Sequence, residues 1–345
     1  MRYSFILLYL LLYVQVSVAQ EIDYDKFVDG LMRKMTLREK IGQLNLLPTG
    51  PVTTAYGQNE EIFEDVRRGD VGGVFNLRGV HDNTIIQRMA VEETRLGIPI
   101  LFGCDVIHGY ETIFPLNIAL SCSWDMNAIE EMARISAREA TASGIHWTFS
   151  PMVDICKDAR WSRISEGAGE DPFLGAAVAR AMVKGYQGNL DSIDEMMACV
   201  KHFALYGASE GGRDYNMVDM SCNRMFNEYM LPYKAAIDEG VSSVMVSFND
   251  INGIPATANK WLLTDLLRKQ WGFKGFITSD HSAVKELSNH SLGDEREVSA
   301  KALLAGVDFD MGSRSYVAQL ENAVKCGLVS EADVDVSCRR ILMVK

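Results

Sequence analysis

The chain has 345 residues, 48% of them hydrophobic and 23% charged, with a formal net charge of −12. That is too long for a minimal domain and comfortable for one α/β barrel of roughly 250 residues or more. The acidic balance, with no cluster of lysine and arginine, argues against nucleic acid as a partner.

The chain opens with Met1-Arg2-Tyr3-Ser4 and an apolar run from Phe5 to Val18. Ser17-Val18-Ala19 supplies small residues at a cleavage site, so residues 1–19 are expected to be a signal peptide cut before Gln20. A membrane anchor would need about 20 apolar residues, more than this run offers. The expected destination is the periplasm or the extracellular space, with no membrane attachment after cleavage. Residues 20–345 then form one domain.

Between positions 23 and 35, Phe27, Leu31, Met32 and Met35 recur at helical spacing, and Thr36-Leu37-Arg38-Glu39 is a capping box opening a second helix. Strands are predicted at 73–77, 99–105, 144–152, 198–203, 242–248, 275–280 and 307–311, with an irregular first strand as a candidate at 43–47. Helices are predicted at 83–96, 126–143, 173–187, 224–239, 260–270, 296–305, 316–326 and 331–345. Pro232 should kink or split its helix. Such βα alternation is the mark of a (β/α)8 TIM-type barrel. An open doubly wound sheet is the alternative, but no Gly-rich phosphate loop follows any strand. Seven cysteines without close spacing argue against a disulfide framework or a zinc site, and Cys104 and Cys199 read as buried thiols.

In a parallel barrel, chemistry collects at the C-terminal ends of the strands. There the chain carries Asp105, the Arg160-Trp161-Ser162-Arg163 run, Lys201-His202 and Asp280. Two carboxylates, a Lys-His pair and an arginine suit a neutral polyhydroxylated ligand, because ionised groups make strong hydrogen bonds to hydroxyls. The set has neither the positive surplus for phosphate nor the second histidine for a metal cluster, so neither metal nor cofactor is expected. Each residue also has a structural alternative. Asp280 could cap the next helix, Asp105 and Lys201 could be an ion pair, and His202 could be a core histidine. Arg160 or Arg163 could be clamped to Glu170 or Asp171, and Met245 and Phe248 could belong to the site floor or to the core.

At these residues the chain resembles glycoside hydrolase family 3, in particular its periplasmic bacterial β-glucosidases. The matching stretches are Asp105-Val106-Ile107-His108-Gly109, Arg160-Trp161-Ser162-Arg163, Lys201 through Gly207, Glu210 through Asn216, and Trp271-Gly272-Phe273-Lys274-Gly275 through Ser279-Asp280-His281. The resemblance implies that Asp280 is the nucleophile of a retaining, exo-acting β-glycosidase. It also implies that Asp105, Arg163, Lys201 and His202 hold the non-reducing sugar. Asp105 would accept from two hydroxyls while Lys201, His202 and Arg163 donate. The implied partners are β-linked oligosaccharides or aryl and alkyl glycosides. Ala159, Ser162, His281 and Glu111 depart from common family residues and bear on the aglycone side.

A retaining glycosidase also needs an acid about 5–5.5 Å from its nucleophile. In multidomain members it is a Glu on a downstream α/β sandwich domain, expected to be absent from this chain and to pack on the barrel. Single-barrel β-N-acetylglucosaminidases take their acid from an Asp-His pair, but the loop Gly207 through Tyr215 contains no histidine. The expectation is therefore a β-glucosidase-like barrel, with a non-catalytic sugar-binding protein as the alternative from another class. Glu166, Glu170, Glu210 and Asp214 are the local candidates for the acid.

Overall fold

The computed structural model describes residues 23–49 and 60–345; the expected signal peptide lies outside the described residues. Among the described residues ten strands run in chain order as β1 (Asn45–Pro48), β2 (Gly73–Phe75), β3 (Leu101–Cys104), β4 (Trp147–Thr148), β5 (Cys199–Phe203), β6 (Ser243–Val246), β7 (Asp250–Ile251), β8 (Ile254–Pro255), β9 (Phe276–Thr278) and β10 (Asp310–Met311).

Parallel pairing links β10-β1-β2-β3-β4 in one ladder and β5-β6-β9 in another. Three parallel bridges join the ladders, Trp147 to Met197 and Met152 to Lys201 between the β4 and β5 segments, and Thr278 to Phe309 between β9 and the start of β10. The circuit therefore closes through eight parallel strands, each followed by at least one helix, and the barrel reading holds over the doubly wound alternative. The irregular candidate at 43–47 is a proper member, β1, paired on both sides.

The ladders are shorter than the predicted strands. Positions 144–152 pair regularly only at Trp147–Thr148. Pro151 has no N–H to give, and beyond it the contact with β5 continues as single bonds, Lys201 N to the Pro151 carbonyl at 3.0 Å and Val153 N to the Lys201 carbonyl at 2.8 Å. The tightest turn joins β7 to β8, with Asn252 and Gly253 both at positive φ, as a two-residue Asn-Gly hairpin requires. That hairpin was absent from the predicted elements although its Asn-Gly signal is plain.

Helix starts follow their caps. Thr36 and Glu39 form the expected reciprocal capping box, and Asp125, Asp171 and Asp294 cap the helices after them. The first helix, Tyr24–Met32, packs Leu31 and Met32 against the core as the predicted stripe requires, with Met35 buried just beyond it, but it buries Val28 and leaves Phe27 exposed. Pro232 acts as predicted: a π-turn at Met225–Tyr229 ends before it, and a new helix, Leu231–Asp238, starts with Pro232 in its first turn.

The barrel interior is aromatic. The Trp147 ring lies 4.7 Å from Phe149, 4.9 Å from Phe276 and 6.2 Å from Phe309, centroid to centroid, and its indole N–H donates to Ser243 Oγ at 2.7 Å. Burying an aromatic of this size is worth about 4–6 kcal/mol at ~25 cal/mol per Å². Gly103 of β3 makes the cluster possible, because a Cβ there would sit 2.8 Å from the Phe149 ring. All seven cysteines are free, with Cys104, Cys156, Cys199 and Cys338 buried. Among the described residues no helix is long and apolar enough to cross a membrane.

Candidate active site

Asp280 sits two residues past β9, in a turn tied to the next strand. Ser279 N donates to the Phe309 carbonyl at 2.9 Å, Met311 N to Ser279 Oγ at 2.9 Å, and Ser282 N to the Met311 carbonyl at 2.7 Å. The Asp280 side chain does not cap the following helix: Ser282 precedes it without a side-chain bond, and Asp280 Oδ1 accepts from His281 N at 2.7 Å. Oδ2 is buried and accepts no hydrogen bond. Burial pushes this carboxyl up to about 6, against the pull of Arg163 and Lys201.

Asp105 follows β3 directly, and Lys201 from the middle of β5 reaches across to it, Nζ to Oδ1 at 3.0 Å. The lysine side chain is 4% exposed and the carboxylate 43%, so the cation is buried and the anion faces the mouth. Asp105 N is held by Asn76 Oδ1 at 3.3 Å, from a left-handed residue just after β2.

His202, the next residue of β5, points its Nε2 at Asp280 Oδ2 from 3.6 Å, too far for a hydrogen bond. Its Nδ1 lies 2.8 Å from Asp154 Oδ2. Burial, reinforced by the charges of Arg163 and Lys201, holds this imidazole well below its usual pKa. Tyr206 stands edge-on to His202, with centroids 5.2 Å apart, and Trp161 and Phe248 close over Tyr206.

Arg163 comes from the loop after β4. It is clamped by Glu166, Nε to Oε1 at 2.7 Å and Nη2 to Oε2 at 2.9 Å, and its guanidinium lies 5.7 Å from the Tyr206 centroid. Burial works against its charge, but Glu166 and the carboxylates of Asp280 and Asp154 leave it pushed up. Burial likewise raises Glu166, yet the bonds from Arg163 and the charge of Lys201 leave it below the usual carboxylate value.

The structure therefore gathers Asp105, Arg163, Lys201, His202 and Asp280 around one mouth. The arginine clamps differ from those anticipated: Arg160 pairs with Asp158 and Arg163 with Glu166, while Asp171 caps a helix. Met245 is core, whereas Phe248 packs on Tyr215 at 4.6 Å by the mouth. Two residues were not foreseen in these roles. Glu166 stands three residues from Arg163, a spacing that could have been read. Asp154 carries no such signal, since its partner lies 48 residues on. No group of three or more metal-ligating side chains occurs among the described residues.

The family model described as "Glycosyl hydrolase family 3 N terminal domain" matches residues 36–344. A "Periplasmic beta-glucosidase" of Salmonella typhimurium is 45% identical over 323 residues, which is 93% of this chain and 42% of that protein. A "Lysosomal beta glucosidase" of Dictyostelium discoideum is 30% identical, over 93% of this chain and 43% of its own length. Among solved structures, the β-glucosidase from Listeria innocua in complex with glucose superposes with a TM-score of 0.88 at 40% identity, covering 94% of this chain and 47% of that one. The chain thus spans less than half the length of these relatives.

Proposed function

The chain belongs to glycosyl hydrolase family 3, through that family's N-terminal domain, and on this premise we propose that it is the nucleophile-bearing barrel of a retaining, exo-acting β-glycosidase. The substrates are terminal non-reducing β-D-glucosyl residues, and the relatives named β-glucosidases support that class. The observation that carries the proposal is the environment of Asp280. Its carboxylate is buried with one bare oxygen at the rim of a mouth whose other groups, Asp105, Lys201, Arg163 and His202, are hydrogen-bond partners for hydroxyls.

Asp280 attacks the anomeric carbon, the bond to the leaving oxygen breaks, and the glycosyl-enzyme ester is later opened by water. With its partners already fixed by Glu166, Asp154 and one another, the site holds the sugar without reorganising. A group that can donate a proton to the leaving oxygen is harder to find here. Glu166 is committed to Arg163 and kept acidic, and Asp214 accepts from the Trp161 indole at 3.0 Å and from Ser162 Oγ at 3.2 Å. Glu170 and Glu210 are exposed. Accordingly we take the acid from outside the described residues, on a second α/β domain packed over the mouth. The Salmonella relative's name supports a periplasmic or secreted location, reached through removal of residues 1–19.

The test pairs two substrates. Dinitrophenyl β-glucoside, whose leaving group needs little protonation, should react with the chain 20–345, and azide should speed turnover. Cellobiose should be hydrolysed very slowly. Fast cellobiose hydrolysis would place the acid within this chain. A monodisperse, cooperatively melting protein that is inert towards both substrates while binding glucose would make it a sugar-binding protein instead.

A further inference from the structure

Asp154, in the loop after β4, is fully buried and surrounded by donors. His202 N lies 3.0 Å from its Oδ2 and Tyr206 N 3.2 Å from its Oδ1. The Tyr233 hydroxyl lies 2.5 Å from Oδ1, and His202 Nδ1 lies 2.8 Å from Oδ2. Backbone N–H groups can only donate, so each oxygen already serves as an acceptor; burial pushes this carboxyl up to about 6 against the pull of those bonds, and above that pH it is ionised. An ionised oxygen 2.8 Å from Nδ1 requires a hydrogen on Nδ1. In a neutral imidazole, that leaves Nε2 with a bare lone pair.

Nε2 and Asp280 Oδ2 then face each other across 3.6 Å, both buried and neither hydrogen-bonded. We propose that Asp154 is a positioning residue that fixes His202 as the Nδ1–H tautomer, so that Nε2 accepts a hydrogen bond from a substrate hydroxyl beside the nucleophile. The sense is the reverse of the donation expected from sequence. One O–H cannot serve two acceptors, so this edge of the site asks for two donors. Neighbouring hydroxyls of a polyol supply them, and a deoxy or ether position leaves one acceptor buried and unpaired. The ligand half of this inference rests on the sugar-site proposal; the tautomer does not.

With six histidines, the full chain labelled with ¹⁵N-histidine is tractable for long-range ¹H–¹⁵N spectra, with His202 assigned through His202→Gln. Between about pH 7 and 8, above the raised value of about 6 for the Asp154 carboxyl, Nδ1 should give a protonated-type shift and Nε2 an unprotonated-type shift. Saturating D-glucose should move Nε2 towards the hydrogen-bonded position without changing the tautomer. In Asp154→Ala the acceptor facing Nδ1 is gone, so the preference for Nδ1–H should be lost and an Nε2–H signal should appear. A wild-type Nε2–H signal, or a folded Asp154→Ala with the Nδ1–H tautomer unchanged, overturns the proposal. If Asp154→Ala does not fold, the wild-type spectrum decides alone. Glucose that shifts the His281 signals, beside Asp280, but leaves His202 Nε2 unmoved overturns the acceptor role. No perturbation anywhere removes the ligand and the acceptor role together, and the tautomer stands.

Discussion

Lys201 Nζ lies 3.0 Å from Asp105 Oδ1, with the cation buried in β5 and the anion at its open end. The pair is arranged so that the carboxylate keeps lone pairs for the mouth while the lysine holds it in place. Asp105→Ala should therefore remove hydrogen bonds to two sugar hydroxyls, each worth roughly 1.5–3 kcal/mol when one partner is charged. The resulting loss in kcat/KM, or in glucose affinity where turnover is slow, is expected to be 10²-fold or more on that scale. An affinity within about twofold of wild type would make Asp105 a structural ion-pair member only.

The Arg163–Glu166 clamp separates stability from recognition. Arg163→Met leaves Glu166 charged, three-quarters buried and without its bidentate donor, which should cost about 2–4 kcal/mol of stability. Adding Glu166→Gln should return much of that stability without restoring sugar affinity, since the guanidinium is still missing. Urea melts and glucose titrations of the three variants form the required cycle. Recovery of both properties would remove Arg163 from the sugar site.

Asp280 should weaken the fold at neutral pH. Its carboxyl is raised from 3.8 to about 6 by burial, with Arg163 and Lys201 opposing and Asp105 adding to the rise. Across that window the folded state holds a proton that the unfolded state has lost, so this group's contribution falls as pH rises from 3.8 to about 6. Asp280→Asn should therefore raise Tm most above pH 6, by an amount on the order of 2 kcal/mol, with the gain fading near pH 4. A variant less stable than wild type at pH 7 would mean that the ion pairs around Asp280 outweigh its desolvation.

The barrel's closed end is held by a different carboxylate. Asp308 accepts from Arg268 at 2.6 Å, Arg340 at 2.8 Å, Ser337 at 2.9 Å and Ile277 N at 2.8 Å, tying the helix Glu331–Val344 to β9. Asp308→Ala should cost about 3–5 kcal/mol, because two arginines lose their buried counter-ion. Asp265→Ala, which breaks the exposed pair with Lys269, should change stability by under about 0.5 kcal/mol. Similar urea midpoints for the two variants would contradict this ranking.

The parts of the fold and site legible in the sequence were those carried by local pattern. Apolar runs located the strands, Thr36 marked a helix start, and polar residues at strand ends located Asp105, Lys201, His202 and Asp280. Strand lengths were not legible, because the strand-like run Gly144 through Met152 continues past Thr148, where regular pairing ends ahead of Pro151. Nor was Asp154: its role depends on His202 and on Tyr233, 79 residues away, and no spacing rule connects loops that meet only after the barrel has closed.

The central claim is that Asp280 is the nucleophile, and covalent trapping tests it most directly. A dinitrophenyl 2-deoxy-2-fluoro-β-glucoside should add one fluoroglucosyl mass to the intact chain, and peptide mapping should place it on Asp280. The inactivation rate should rise with pH through about 6 as this carboxyl ionises beside Arg163, Lys201, Asp105 and His202. Asp280→Asn should take up no label. A label on another carboxyl group, or one that persists in Asp280→Asn, would contradict the assignment.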